Sequence, residues 1–201
     1  MIGLENGHRA AELILASRSP RRSDLLRRAG LTFRVLAPEV TEFEGGDFPP
    51  RELCLKNAGM KAEAVAAEHR DDFVIGADTI VVLGGKVFGK PRDLNEGADF
   101  LRQLRGRVHE VMTGVALRQG GRKTDFVEVT YVKFREFSDE MIARYHAEVE
   151  VLDKAGGYAM QEMGSSLVEK VEGDENNVIG LPVSLVLAHL QKMGCLIPLK
   201  K

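Results

Sequence analysis

Apolar and polar positions follow two recurring patterns along the chain. Short apolar runs predict buried strands at residues 13–16, 33–37, 73–77, 80–83, 86–88, 109–118, 124–134 and 165–171. Stretches in which apolar residues recur every three to four positions predict helices at residues 23–29, 50–70, 95–104, from 138 onward and 181–193. Glycine pairs at 84–85 and 120–121 predict hairpin turns, and residues 173–177 predict a polar turn. Strands and helices interleave, which predicts an α/β protein with a mixed sheet.

Composition narrows the class of partner. The 201 residues are 44% hydrophobic and 29% charged, a balance typical of a globular protein. The formal charge of −2 argues against a nucleic-acid polymer or an anionic membrane surface as partner, so any phosphate binding must come from a local cluster of basic residues. No apolar run approaches the about 18 residues of a membrane span. Cys54 and Cys195 are far apart in sequence, so we expect no disulfide framework and a cytoplasmic protein.

The turn after the first predicted strand concentrates groups that bind anions. The apolar run ends at Ser17 and Ser19, then Pro20 leads into Arg21 and Arg22 at the start of a predicted helix. Hydroxyls, guanidinium groups and a helix N-terminus at one turn are suited to a polyphosphate. The alternative is an ordinary helix cap, in which Ser19 caps, Pro20 takes the first helical position and the arginines are solvated.

Five further residues are candidates for chemistry, each with an alternative. Asp78 follows a buried strand, where open α/β sheets place ligands, or is a turn aspartate. Lys90 in a Gly-Lys-Pro loop and Lys61 on the longest helix could bind phosphate or be solvated. Glu42 could bind a metal or be a solvated charge, and Gln161 could bind a base edge or cap a turn. Carboxylates among cations fit a Mg²⁺ or Mn²⁺ ion held together with a polyphosphate.

Seven segments, taken together and in this order, resemble the Maf family of nucleoside triphosphate pyrophosphatases. They are residues 15–22 (LASRSPRR), 57–62 (NAGMKA), 76–81 (GADTIV), 89–93 (GKPRD), 106–114 (GRVHEVMTG), 153–158 (DKAGGY) and 177–182 (NVIGLP). The resemblance covers nearly the whole chain. It implies one Maf-like domain over residues 1–201, with a mixed elongated sheet flanked by helices. It also implies two lobes around a cleft, similar to inosine triphosphate pyrophosphatase.

The same resemblance implies an activity and a set of roles. The activity is hydrolysis of a nucleoside triphosphate to the monophosphate and diphosphate with a divalent metal, by a homodimer. Asp78 matches the general base and Glu42 the acidic loop residue. The residues that match the phosphate-handling positions are Ser17, Arg21, Arg22, Lys61 and Lys90. Arg21, Thr79 and Gln161 match positions that separate substrate subclasses, and their identities resemble the dTTP/UTP subfamily.

Two alternatives stay open. The first is the same chemistry on 7-methylguanosine triphosphate or another modified or purine nucleotide. The second is a non-enzymatic regulator of cell division or septum formation that uses the cleft only for binding. The presence of Asp78, Lys61 and Lys90 together favours an enzyme, because a protein that only binds has no need of a base.

Overall fold

A computed structural model describes residues 10–161 and 163–195 of the chain. Within these residues the strands are β1 (Leu13–Ala16), β2 (Arg34–Val35), β3 (Phe73–Leu83), β4 (Lys86–Phe88), β5 (Val108–Gln119), β6 (Arg122–Phe134) and β7 (Val168–Glu172). The helices are α1 (Pro20–Arg28), α2 (Pro50–Ala66), α3 (Leu94–Leu104), α4 (Asp139–Glu148), α5 (Gly164–Leu167), α6 (Glu175–Ile179) and α7 (Val183–Lys192). A 3₁₀ turn covers Ala155–Gly157.

One mixed sheet organises the molecule. Its strand order is β2-β1-β3-β5-β6-β7, and β4 pairs with β3 outside this path. Strand β1 is parallel to both β2 and β3, whereas β3, β5, β6 and β7 pair antiparallel. A hairpin joins β5 to β6, and longer connections that contain helices join β3 to β5 and β6 to β7. The predicted α/β class with a mixed sheet is confirmed.

One edge of β3 is shared by two short strands. Strand β1 pairs with residues 73–76 of β3, and β4 pairs with residues 81–83. The opposite edge of β3 pairs continuously with β5 over residues 74–82. Residues 77–80 therefore lie at a gap between β1 and β4, and Asp78 and Thr79 stand at that gap. The cleft described below opens there.

Two apolar cores flank this gap. One packs α1 and α7 against β1 and the first half of β3, around Leu15, Leu26 and Ile75. The other packs α3 and α4 against the far end of the sheet, around Leu101 and Tyr145. Strands β3 and β5 run through both, so two lobes share one sheet and a cleft separates them.

Most predicted elements are confirmed, and the differences have local causes. Helix α1 begins at Pro20, earlier than predicted, because proline fits the first helical position and Ser19 caps the helix by accepting a hydrogen bond from Arg22 N at 3.5 Å. The predicted strand at 165–171 is wrong at its start, where Gly164–Leu167 forms one helical turn before β7. The predicted turn at 173–177 is wrong, because Asp174 caps the short helix α6.

The largest correction concerns the strand that carries Asp78. We predicted that this strand ends at Asp78 and Thr79 and that residues 80–83 continue in an extended conformation. Instead β3 runs unbroken from Phe73 to Leu83, so Asp78 lies in the middle of an 11-residue strand. Its position at a sheet opening is still correct, but the opening arises because the neighbouring strand β1 ends at Ala16.

In the part of the chain that the structure describes, no helix combines the length and apolar character that a membrane crossing requires. Both cysteines, Cys54 and Cys195, are free thiols, as expected.

Candidate active site

A cleft of about 700 Å³ opens at the gap between β1 and β4. All of the residues proposed from the sequence as catalytic, substrate-binding or metal-binding line it: Ser17, Arg21, Arg22, Glu42, Lys61, Asp78, Thr79, Lys90 and Gln161. They come from positions spread over 145 residues of sequence, between Ser17 and Gln161. The fold therefore brings the whole predicted set to one place, and their individual roles remain predictions.

Asp78 is a buried carboxylate held by two donors from α2. Lys61 Nζ donates to Asp78 Oδ1 at 2.8 Å, and Asn57 Nδ2 donates to Asp78 Oδ2 at 3.2 Å. Burial alone would raise the pKa of Asp78, but the charges of Lys61 and Arg22 and the Lys61 hydrogen bond outweigh it and lower the pKa below its ordinary value. Asp78 is therefore ionised at neutral pH and fixed in orientation.

Lys61 is buried and lies between two carboxylates. Its ammonium donates to Glu42 Oε2 at 2.7 Å as well as to Asp78. The solvated alternative for Lys61 is wrong, because only 8% of the residue is exposed. Glu42 is bound by Lys61, and its side chain is 40% exposed. The three side chains form a chain of alternating charge along one wall of the cleft.

Asn57 anchors the loop that carries Glu42. Phe43 N donates to Asn57 Oδ1 at 2.8 Å, and Asn57 Nδ2 donates to Phe43 O at 3.0 Å. The same amide binds Asp78, so one buried side chain fixes the loop and the carboxylate relative to each other. Sequence reasoning assigned Asn57 no role, although it stands four residues before Lys61, which places both on one face of α2.

Two glycines allow α2 to lie directly against the sheet. A Cβ at Gly76 would be 2.3 Å from Ala58 O and 2.7 Å from Ala62 N, and a Cβ at Gly114 would be 2.5 Å from Cys54 O. Only glycine permits so close an approach of backbone to backbone. This contact brings the polar face of α2 within hydrogen-bond reach of Asp78.

Arg22 is buried and rigidly held on the other side of the gap. Its Nη1 donates to Ser17 Oγ at 3.1 Å, its Nη2 to Thr79 Oγ1 at 3.0 Å, and its Nε to Gly180 O at 2.8 Å. These acceptors are all neutral. Burial lowers the pKa of Arg22 from its ordinary value, and the nearby charges of Asp78 and Glu42 oppose that shift. A guanidinium remains protonated at neutral pH, so Arg22 presents fixed positive charge to the cleft.

Arg21 reaches across the cleft to the second lobe. Its Nη1 donates to Asp153 Oδ2 at 2.6 Å, and its Nη2 donates to the Asp153 carbonyl oxygen at 3.1 Å. Lys154 donates to the other carboxylate oxygen of Asp153 at 2.8 Å. Burial would raise the pKa of Asp153, but Lys154 and Arg21 together lower it. Asp153 and Lys154 line the cleft, and sequence reasoning gave neither a role.

The remaining predicted residues stand at the exposed margin of the cleft. Lys90 and Gln161 are both exposed and line it. Apolar side chains, among them Val81, Tyr158 and Ile179, also line the cleft. Cationic and apolar surfaces in one concavity match a ligand that carries both phosphates and a flat organic base.

The donors suit a divalent cation only in part. Glu42 and Asp78 supply hard carboxylate oxygens on either side of the Lys61 ammonium. Among the described residues there is no group of three or more acidic, histidine or cysteine side chains placed to hold a metal. Mg²⁺ is commonly held by one or two carboxylates together with substrate phosphates, so the pair fits a site that the substrate completes.

Comparison with known proteins shows a related fold and the family of this chain. The fold is similar to that of the Staphylococcus aureus Ham1 protein, with a TM-score of 0.53 over 90% of this chain and 99% of that one, at 16% sequence identity. The family model described as Maf-like protein matches residues 12–193, and the chain belongs to this family.

Relatives named dTTP/UTP pyrophosphatase match over nearly their whole length. The Akkermansia muciniphila protein is 47% identical over 182 residues, which are 90% of this chain and 96% of that protein. The Dictyoglomus thermophilum protein is 45% identical over 91% of this chain and 96% of its own length. The Deinococcus radiodurans protein is 43% identical over 92% of this chain and 94% of its own length. The family predicted from the sequence is confirmed.

Proposed function

We propose that this protein hydrolyses dTTP and UTP to the nucleoside monophosphate and diphosphate. The observation that carries the proposal is the buried, ionised Asp78, held by Lys61 and Asn57 in a cleft that also presents the fixed guanidinium of Arg22. The names and high identity of the relatives support the choice of reaction and of nucleotides. The cleft can hold a triphosphate at its cationic side chains and a base against its apolar ones.

The cationic side chains bind and orient the triphosphate. Arg22 is already immobilised, so little conformational entropy is lost when it binds a phosphate oxygen. Lys90 and Arg21 also line the cleft, and Arg21 is held there by Asp153. Phosphoryl transfer depends mainly on positioning and on stabilising charge, which this arrangement supplies.

Asp78 accepts the proton of the attacking water. The water oxygen bonds to phosphorus, the bond between the α- and β-phosphates breaks, and diphosphate leaves with the electron pair. The negative charge of bound triphosphate raises the pKa of Asp78 and so makes it a better base than in the empty cleft. Lys61 remains beside Asp78 and stabilises negative charge at the same point.

Glu42 and Asp78 are the residues that would hold Mg²⁺ or Mn²⁺. Such an ion would neutralise charge on the phosphates and lower the pKa of a bound water. The Lys61 ammonium bonds to both carboxylates, so it holds these two candidate ligands next to each other.

Gln161 forms hydrogen bonds with the base of the nucleotide. Its amide offers both a donor and an acceptor, which match the carbonyl and N–H that thymine and uracil present. Thr79 is less suited to this role, because its hydroxyl is already bound to Arg22 and Thr113. A site built to hydrogen-bond its ligand rejects a base that leaves polar groups unpaired.

We also propose a cytoplasmic homodimer. The free cysteines suit a reducing compartment, and the dimer is what the family resemblance implies. Light scattering on the purified protein tests it, with about twice the 22.1 kDa chain mass expected for the dimer and the chain mass for a monomer.

A substrate panel tests the activity. Initial rates of diphosphate release are measured with dTTP, UTP, ATP, GTP, CTP and 7-methylguanosine triphosphate at equal concentration, each with Mg²⁺, with Mn²⁺ and with a chelator. We expect dTTP and UTP to be fastest and the chelator to abolish release. A faster rate with 7-methylguanosine triphosphate would overturn the nucleotide assignment alone. If no nucleotide yields diphosphate, the enzyme assignment fails and a binding regulator is favoured.

A further inference from the structure

Thr113 is a buried hydroxyl beneath the cleft. It lies in the middle of β5, opposite Thr79 in β3, and none of its surface is exposed. Thr113 Oγ1 is 3.0 Å from Thr79 Oγ1 and donates to the carbonyl oxygen of Asn177 at 3.2 Å. Thr113 does not line the cleft wall formed by Thr79, so it acts on a ligand only through its neighbours.

The hydroxyl protons have a consistent direction along this chain. When Thr113 donates its single proton to Asn177 O, the Thr79 proton has two acceptors, Thr113 Oγ1 at 3.0 Å and Gly180 O at 3.3 Å, and we take the shorter contact as its bond. With its proton so directed, Thr79 Oγ1 offers a lone pair to Arg22 Nη2 at 3.0 Å. Hydrogen bonds then run in one direction from the guanidinium through two hydroxyls to a backbone carbonyl.

We propose that Thr113 is a positioning residue for the triphosphate, and that it acts by fixing Thr79 so that Thr79 holds the buried guanidinium of Arg22 in its binding orientation. This inference rests on the proposed function. Two carbonyl oxygens at helix α6 hold Arg22. Gly180 O accepts directly from Arg22, and Asn177 O is linked to Arg22 through Thr113 and Thr79. The three neutral acceptors around Arg22 leave its charge available to an anion.

Removing the Thr113 hydroxyl leaves Thr79 with fewer fixed partners. Thr79 Oγ1 is 3.3 Å from Gly180 O, which already accepts from Arg22 Nε at 2.8 Å. Without the Thr113 hydroxyl, Thr79 Oγ1 loses its contact on the β5 side and keeps only Gly180 O and Arg22 Nη2 as partners. The Arg22 Nη2 contact then rests on a less fixed hydroxyl, and that side of the guanidinium must be ordered when the ligand binds. Ordering one such side chain weakens affinity by about three- to tenfold.

The test uses three variants of the whole protein. Thr113→Val removes the hydroxyl at nearly constant shape, and Thr113→Ser restores it. Thr130→Val is the matched control, because Thr130 is also fully buried and contacts the same segment, through Asn177 Nδ2 and Asp174 O, but does not touch Thr79 or Arg22. The measurements are KM and kcat with dTTP, the calorimetric Kd of inorganic triphosphate, and the Tm.

We expect Thr113→Val to raise both KM and the Kd of inorganic triphosphate by about three- to tenfold, with kcat within about twofold of wild type. Thr113→Ser should return both constants to wild-type values, and Thr130→Val should lower only the Tm. The proposal is overturned if Thr113→Val keeps the wild-type KM and Kd, or if Thr130→Val raises them equally. In either case, turnover of dTTP by the wild-type protein still supports the proposed function. If the wild-type protein neither binds inorganic triphosphate nor releases diphosphate, both the Thr113 proposal and the proposed function are wrong.

Discussion

Helix α2 lies so close to the sheet that Gly76→Ala must displace it. The substitution therefore changes the site geometry although Gly76 is not one of the proposed site residues. The new Cβ would be 2.3 Å from Ala58 O, and ordinary contact begins near 3.4 Å, so α2 must move by about 1.1 Å. The three atoms nearest the new Cβ are Ala58 O, Ala62 N and Ala62 Cβ, so no flexible side chain can absorb the change. Overpacking of this kind costs about 1–3 kcal/mol of stability.

The same shift separates Lys61 and Asn57 from Asp78. At an effective dielectric constant of about 20, the attraction between Lys61 and Asp78 falls from about 6 to about 4 kcal/mol when their 2.8 Å separation grows by that distance. Misplacement of catalytic groups by about 1 Å can lower turnover by about 10²-fold. We therefore expect Gly76→Ala to lower kcat/KM for dTTP by about ten- to a hundredfold and Tm by about 2–12 °C.

Diphosphate release and thermal unfolding measure the two effects. Gly121→Ala is the control, because a Cβ there meets nothing within 4 Å. It should match wild type in both assays. Gly76→Ala with wild-type turnover and Tm would refute the conclusion that this glycine sets the distance between α2 and Asp78.

Three further predictions follow from single contacts. Asp78→Asn should lower kcat by about 10²–10⁴-fold with the fold intact by circular dichroism, because the base is lost; turnover near wild type would remove Asp78 from that role. Asn57→Ala should lower kcat/KM about tenfold and make the Glu42 loop more sensitive to limited proteolysis, because both Phe43 backbone bonds are lost; unchanged cleavage would contradict this. Burial lowers the pKa of His109 to about 4, so below about pH 6.5 the unfolded chain takes up a proton that the folded chain does not, and stability falls between pH 6.5 and 4. His109→Gln should lose less stability over that range in urea unfolding, and an equal loss would contradict the assignment.

Local sequence was sufficient for elements whose determinants are local. The Gly84-Gly85 hairpin and the Asp93 cap of α3 depend on residues within a few positions of each other. The helix-cap alternative at Ser19 and Pro20 likewise gives the start of α1 that the predicted helix at 23–29 missed. The end of the strand at Asp78 was predicted wrongly because it depends on which strands pair with β3, and β1 and β5 are distant in sequence.

The candidate site was predicted by residue type and family order, while its contacts depend on tertiary structure. The pairing of Arg21 with Asp153 joins residues 132 positions apart, and no local pattern indicates it. Asn57 and Lys61 share a helix face, but only the glycines in β3 and β5 bring that face to Asp78. The two-threonine contact to Arg22 likewise depends on the register between β3 and β5.

The central claim is that this cleft hydrolyses dTTP between its α- and β-phosphates, and the most direct measurement is a ³¹P NMR time course with dTTP and Mg²⁺. We predict that the three triphosphate resonances give way to those of dTMP and diphosphate in equal amounts, and that Asp78→Asn protein leaves dTTP intact over the same period. Formation of dTDP and inorganic phosphate, or an unchanged spectrum with the wild-type protein, would contradict the account.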